Sequence, residues 1–168
     1  MKTTAKTNAV RFLDSLAIPY ELISYEVDPN DLSAPGVAGK IGMPVEQVFK
    51  TLLTTDGKGE HFFAVLPGDL ELDFKKLARA AGVRKAEMVS LKEVEPLTGY
   101  IRGGVTVFAA RKAYPVFVDE TIELWEKISV SAGVRGTQIL LSPADYLRAS
   151  EGTVADLTKS PTAQEDAQ

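Results

Sequence analysis

The chain has 168 residues, 45% of them hydrophobic and 25% charged, with a net charge of -4, no cysteine and one histidine. That is the composition of one compact domain, long enough to bury about two-thirds of its unfolded surface. It excludes thiolate nucleophiles, zinc-thiolate sites and multi-histidine metal sites outright, and the acidic balance argues against a broad phosphate-binding surface.

No apolar run approaches the roughly 20 residues of a membrane span. The opening Met1–Asn8 lacks the hydrophobic stretch of a secretory signal. Absence of cysteine fits a cytoplasmic protein, which is the location expected.

In chain order, Val10, Leu13, Leu16 and Ala17 recur at helical spacing, predicting a helix over 5–17 with Thr3 or Thr4 as its cap. Pro19 ends it, and 20–27 reads as a first strand. Val37–Gly42 is a short helix with a glycine stop, and Pro44 opens another helical turn. A strand follows at Val48–Leu53. Asp56-Gly57-Lys58-Gly59 is a hairpin signal joining it to a strand at His61–Leu66. Asp73 caps a helix over Phe74–Ala81 stopped by Gly82, and the Ser90/Glu93 pair caps another at Leu91–Glu95. Val105–Ala109, Pro115–Val118, Lys127–Ser131 and Gln138–Leu141 read as short strands. Ser142-Pro143 opens a last helix running to about Ala149. The tail 160–168 is polar and expected to be disordered.

Strands and helices intersperse without the regular alternation of a doubly wound protein. The expectation is one α+β domain over 1–159, with a mixed, barrel-like sheet wrapped by short helices.

Within the run Val48-Phe49-Lys50-Thr51-Leu52-Leu53, Lys50 is the residue that needs an explanation. A cation buried without a partner in an apolar strand costs several kcal/mol. Either Lys50 is an edge-strand cation that reaches solvent, or it is the ammonium on the floor of a pocket, offered to an anion or a polarised carbonyl. Three further features carry chemistry only in combination. Gly103-Gly104, in Thr98–Val105, allow close backbone approach to a ligand or simply make a tight turn. Ser131 stands where the strand Ile128–Ser131 runs into the small-residue loop before Arg135-Gly136. Lys75, Lys76 and Arg79 form a cationic helix face, which is either solvated or a phosphate contact. A serine triad would have to use His61, at the start of a strand after a turn.

Taken together and in order, Val48–Leu53, Thr98-Gly99-Tyr100 with Gly103-Gly104, and Ser129–Gly136 resemble the YbaK/EbsC family of trans-acting aminoacyl-tRNA deacylases. Tyr25–Pro29 and Leu72–Ala78 are similar to the same family, and the resemblance runs from about residue 8 to residue 157. It implies the fold of bacterial prolyl-tRNA synthetase editing domains, a mixed sheet wrapped by helices. The implied activity is removal of a wrong amino acid from tRNA, above all cysteine from tRNA for proline. Lys50 matches the family's indispensable lysine, Thr51 the residue that follows it, Tyr25 a pocket tyrosine, Gly103 the substrate-loop glycine and Ser131 a pocket serine. Gly104 is expected to add its amide, and Lys75, Lys76 and Arg79 to contact tRNA. The expected partner is the aminoacyl-tRNA acceptor end, with prolyl-tRNA synthetase as a further one, and no metal or organic cofactor is implied.

Departures exist. The family's loop proline is Val107 here, and a pocket aspartate is Gln138. The competing expectation is a binding module of the same shape that docks aminoacyl-tRNA or the synthetase without turnover.

Overall fold

The computed structural model describes residues 6–160. Helix α1 (Asn8–Ser15) is capped by Thr7, whose Oγ1 accepts the Val10 amide at 3.2 Å. The expected caps Thr3 and Thr4 lie outside the described residues, as do 161–168 of the expected tail. Strand β1 (Glu21–Ser24) follows, shorter than the run 20–27. Helix α2 (Ala34–Ile41) starts earlier than Val37 because Ser33 caps it and Pro35 suits its first turn; Gly42, with φ of 72°, stops it. Val45–Gln47 is a single 3-10 turn after Pro44.

Strands β2 (Phe49–Thr55) and β3 (His61–Pro67) form an antiparallel hairpin aligned from Phe49 opposite Pro67 to Thr55 opposite His61. In its turn Asp56 Oδ1 accepts the amides of Lys58 and Glu60. Helix α3 (Phe74–Ala81) runs from its Asp73 cap to Gly82 as expected. A two-residue strand β4 (Glu87–Met88) precedes α4 (Leu91–Thr98). The Ser90/Glu93 capping pair does not form: Ser90 makes no side-chain cap bond, and only the Glu93 amide reaches the Ser90 carbonyl. Then come β5 (Val116–Asp119), β6 (Ile128–Ser131), β7 (Thr137–Leu141), α5 (Pro143–Ser150) and β8 (Thr153–Ala155).

The expected strand at Val105–Ala109 is a loop instead. Its apolar residues signal burial, not pairing: Phe108 is 1% exposed, and the Tyr100 hydroxyl donates to its carbonyl at 2.6 Å. Packing away Phe108 contributes about 1.5–3 kcal/mol with no strand partner needed. Strands β4 and β8 were not visible in the sequence, being too short to show any alternation.

The fold class α+β holds, but among the described residues the strands make two sheets and no closed barrel. A mixed five-stranded sheet has the order β4-β2-β3-β5-β8, and a three-stranded antiparallel one β1-β7-β6. They meet where Val48 bridges Ser129 in parallel. One core, including Leu13, Phe63, Val65, Phe108, Ile139 and Tyr146, joins the sheets with α1 and α5. A second, of Phe62, Ala64, Leu66, Leu77 and Leu157, lies on the opposite face of the larger sheet under α3. The continuous apolar run of β3 follows, since alternate residues enter both cores.

Candidate active site

Because β2 is paired on one side by β3 along its length, its other edge decides what else it can do. The Phe63 amide goes to Pro115 and the Leu53 carbonyl accepts from Val89, so the odd residues of β2 direct their backbone groups away from β3. On that far edge β4 covers only Thr54 and Thr55. Below them the edge opens, until Val48 meets Ser129 of β6. Thr51 stands in the gap, with its N–H and C=O turned toward open space.

That gap is a cleft of about 520 Å³, a size suited to a small ligand. It is lined by Lys50 and Thr51 of β2, Gly103 with Arg102, Ser131 at the end of β6, and Gln138 of β7. Met88, Leu91 and Val94 make an apolar wall, and Leu32 and Ser33 close the side before α2. Three segments remote in sequence are held together by short contacts. A Cβ on Gly104 would lie 3.2–3.3 Å from three backbone atoms of Val134, and one on Gly133, where φ is 91°, would come 2.9 Å from the Tyr100 ring. Arg135 Nε donates to the Arg102 carbonyl at 2.8 Å. These glycines are what allow the loops to touch.

Lys50 is half-buried, and its Nζ donates to the Gly68 carbonyl at 3.3 Å. Desolvation lowers its pKa below the ordinary 10.5, opposed by the carboxylates of Asp69 and Glu71. Lys50 lines the cleft, a placement in keeping with the pocket alternative of the two. Gln138 is 5% exposed, with Oε1 accepting from the buried Ser129 hydroxyl at 2.7 Å. Ser131 Oγ accepts the Gly133 amide at 3.1 Å, which leaves its proton for a ligand.

The other expected site residues lie elsewhere. Tyr25 lines a separate shallow hollow with Lys40, whose Nζ sits 5.9 Å from its ring centroid. Gly104 does not line the cleft, and its amide closes a turn to Ile101. Lys75, Lys76 and Arg79 of α3 do not line it either, and Lys76 is engaged with Asp156 and the Thr158 carbonyl. His61 packs edge-on to Tyr114, outside the cleft. Arg102 carries no sequence signal beyond standing directly before the glycine pair; only the fold makes it a lining residue of the cleft. Among the described residues no three His, Cys, Asp or Glu gather as metal ligands would, and no helix is long and apolar enough to cross a membrane.

Cationic Lys50 and Arg102, hydroxyls of Thr51 and Ser131 and no acidic lining residue suit an electron-rich ligand that is positioned and polarised, not one attacked by a protein nucleophile. The aminoacyl-tRNA editing domain matches residues 29–149, a span containing every one of these groups.

The chain belongs to the aminoacyl-tRNA editing family.

It is 41% identical over 157 residues, 94% of this chain and 96% of the relative, to an Enterococcus faecalis protein named as a Cys-tRNA(Pro)/Cys-tRNA(Cys) deacylase, EbsC. It is 27% identical over 106 residues, 62% of this chain and 64% of the relative, to the multifunctional Ser/Thr-tRNA deacylase ProXp-y of Escherichia coli. A solved structure described as a trans-editing enzyme for prolyl tRNA synthetase superposes with a TM-score of 0.78 at 22% identity, covering 94% of this chain and all of the other. The hypothetical protein APE2540 superposes with a TM-score of 0.83 at 23% identity, covering 91% of this chain and 100% of that one. These two likenesses establish the fold. The family enzymes cleave aminoacyl esters of tRNA, and this chain is an aminoacyl-tRNA deacylase by membership.

Proposed function

We propose that the cleft removes a mischarged amino acid, cysteine on tRNA(Pro) foremost, from the tRNA acceptor end. The observation that carries this is the convergence of Lys50, Thr51, Gly103 and Ser131 on one cleft; the relationship to EbsC supports the choice of cysteine. An aminoacyl ester is already activated, so positioning and stabilisation of the developing oxyanion are enough. Lys50 Nζ holds the ester or the terminal adenosine by charge-assisted hydrogen bonds. The Thr51 edge and Gly103 contact the ribose or carbonyl, and the apolar wall takes the base.

With cysteine as the charged residue, its thiol attacks the ester carbonyl carbon. A carbon–sulfur bond forms, the carbon–oxygen bond to ribose breaks, and the thiol proton ends on the ribose oxygen. The product thiolactone then hydrolyses in solution. No protein nucleophile is needed, which suits a chain without cysteine. With other amino acids a positioned water attacks instead.

The tRNA enters past Arg102, with Lys75 and Arg79 of α3 reaching the flanking phosphates and Lys76 held back by its ion pair. A chain of net charge -4 binds tRNA weakly and with strong salt dependence. Prolyl-tRNA synthetase is accordingly the partner that hands the substrate over, and the cytoplasm the place.

A panel of mischarged tRNAs tests the reading. Wild-type protein should deacylate Cys-tRNA(Pro) fastest, and Lys50→Ala should lose more than about a hundredfold, the scale of one lost charge-stabilising group, with its melting temperature retained. Absence of turnover on every tRNA would overturn the reading in favour of a binding module, the role that the neutral Gln138 amide at the cleft favours.

A further inference from the structure

In the β2–β3 hairpin the even residues of β2 face β3 with their backbone groups, so the pair just beyond Phe49 and Pro67, Val48 with Gly68, stands where each amide would donate to the other's carbonyl. Only half of that exchange is made. The Gly68 amide donates to the Val48 carbonyl at 2.8 Å, whereas the Val48 amide turns to the Val45 carbonyl at 3.1 Å and completes the 3-10 turn Val45–Gln47. The Gly68 carbonyl is thereby released from the ladder, and it is the oxygen to which Lys50 Nζ donates at 3.3 Å. Among the described residues the ammonium makes no other hydrogen bond and no ion pair. Two of its three protons are left for a ligand. Gly68 and Lys50 both line the cleft. Position 68 has no room for a side chain: a Cβ there would strike the Ala34 Cβ at the start of α2, and would lie 3.0 Å from the Val48 carbonyl oxygen and 3.3 Å from Val45 Cγ2.

We propose that Gly68 is a positioning residue for deacylation: its carbonyl, freed from the ladder by the 3-10 turn, anchors the Lys50 ammonium so that the two remaining N–H bonds are offered to the bound aminoacyl ester. The inference rests on the reading of the cleft as the deacylation site. A carbonyl suits this place better than a carboxylate, because it takes up one proton without cancelling the charge that stabilises a developing oxyanion. The four-carbon stem of lysine is flexible, and anchoring it before the substrate arrives removes freedom that would otherwise be lost at the transition state. A hydrogen bond to the ammonium also favours the charged form, acting in the same sense as Asp69 and Glu71 against the desolvation that lowers the Lys50 pKa.

The test introduces Gly68→Ala alone and together with Ala34→Gly, which removes the atom that the new Cβ strikes first. Three properties are read: steady-state deacylation of Cys-tRNA(Pro), thermal melting, and the titration of Lys50 by NMR of isotope-labelled lysine, its signal being the one missing from Lys50→Ala. Gly68→Ala should lower kcat about tenfold with KM within about twofold, the scale of one misplaced hydrogen bond from a charged donor. The Lys50 titration midpoint should fall by about 1 pH unit, because the charged form has lost its acceptor. Adding Ala34→Gly should recover part of both the rate and the midpoint. If Gly68→Ala does not fold, the double variant is compared with Ala34→Gly alone, where contact with the Val48 carbonyl should still lower both. Without any variant, Lys50 ammonium protons that exchange as fast as those of exposed lysines overturn the anchor. Lowered melting with wild-type kcat overturns the role of Gly68, and so does a fall in kcat with the midpoint unmoved, since that loss would not pass through Lys50. Both results leave the deacylase reading intact if Lys50→Ala is dead. Wild-type protein no faster than Lys50→Ala overturns both.

Discussion

Arg135 donates from Nε to the carbonyl oxygen of Arg102 at 2.8 Å, tying the loop after β6 to the residue before the glycine pair. The bond joins two loops distant in sequence, and it sets where Gly103 and the Arg102 side chain stand in the cleft. Removing it should loosen the substrate loop without unfolding the core. Arg135→Ala is expected to lower kcat/KM about threefold to tenfold, mainly through KM, the range of one hydrogen bond. Steady-state kinetics on a mischarged tRNA check this, and an unchanged KM would count against it.

Lys50 titrates early. Its folded-state pKa is depressed below 10.5 by desolvation, against the opposing pull of Asp69 and Glu71. If the protonated ammonium is the working form, the alkaline limb of the pH–rate profile inflects below 10.5 once spontaneous ester hydrolysis is subtracted. The stability sign follows from the same shift. Between the depressed value and 10.5 the folded state binds fewer protons than the unfolded one, so stability contributed by this residue rises with pH across that window and is lost as pH falls through it. At neutral pH the charge is a burden on the fold, and Lys50→Met should melt no lower than wild type. A clear drop in melting temperature would show that the bond to Gly68 outweighs desolvation.

The salt dependence of tRNA binding separates the cations. Arg102→Ala should weaken binding of the acceptor end and reduce the slope of log K against log salt by about 1. Lys76→Ala should leave that slope unchanged, because its ammonium is occupied by Asp156 and Thr158. Filter binding across a salt series measures both. Equal effects of the two substitutions would place the tRNA path across α3 instead of past Arg102.

Gly133 adopts φ of 91°, and a Cβ there would lie 2.9 Å from the Tyr100 ring. Gly133→Ala should destabilise the protein by about 1–3 kcal/mol, from backbone strain and displacement of Tyr100. The displaced ring would also release the Phe108 carbonyl, which it holds through a hydrogen bond. Urea denaturation with an unchanged m-value is the measurement, and a loss below about 0.5 kcal/mol would mean that the loop relaxes freely.

Much of the fold was legible because its signals are local. Asp73 and Gly82 bracket α3 within a few residues of the backbone groups they satisfy, and Asp56-Gly57 sets the register of β2 against β3. Elsewhere local signals misled. Val105–Ala109 has the apolar character of a strand but fills a core from a loop, since burial alone does not distinguish the two. The cap proposed for α4 failed because a serine three residues before a glutamate offers a bond without enforcing it.

At the site, the residue types were readable and their grouping was not. Composition by itself ruled out thiolate and multi-histidine chemistry, and tRNA editing was suggested by the resemblance of the Lys50 strand, the glycine pair and the Ser131 loop, taken in order, to a known deacylase family. Which cations line the cleft, and that Tyr25 lines the Lys40 hollow instead, came only with the tertiary structure. The physical reason is range. Caps, turns and alternation act across a few bonds and leave their mark in neighbouring residues. The cleft instead exists because Val48 meets Ser129 while β4 stops short at Thr54, and that spacing is decided by how whole sheets pack.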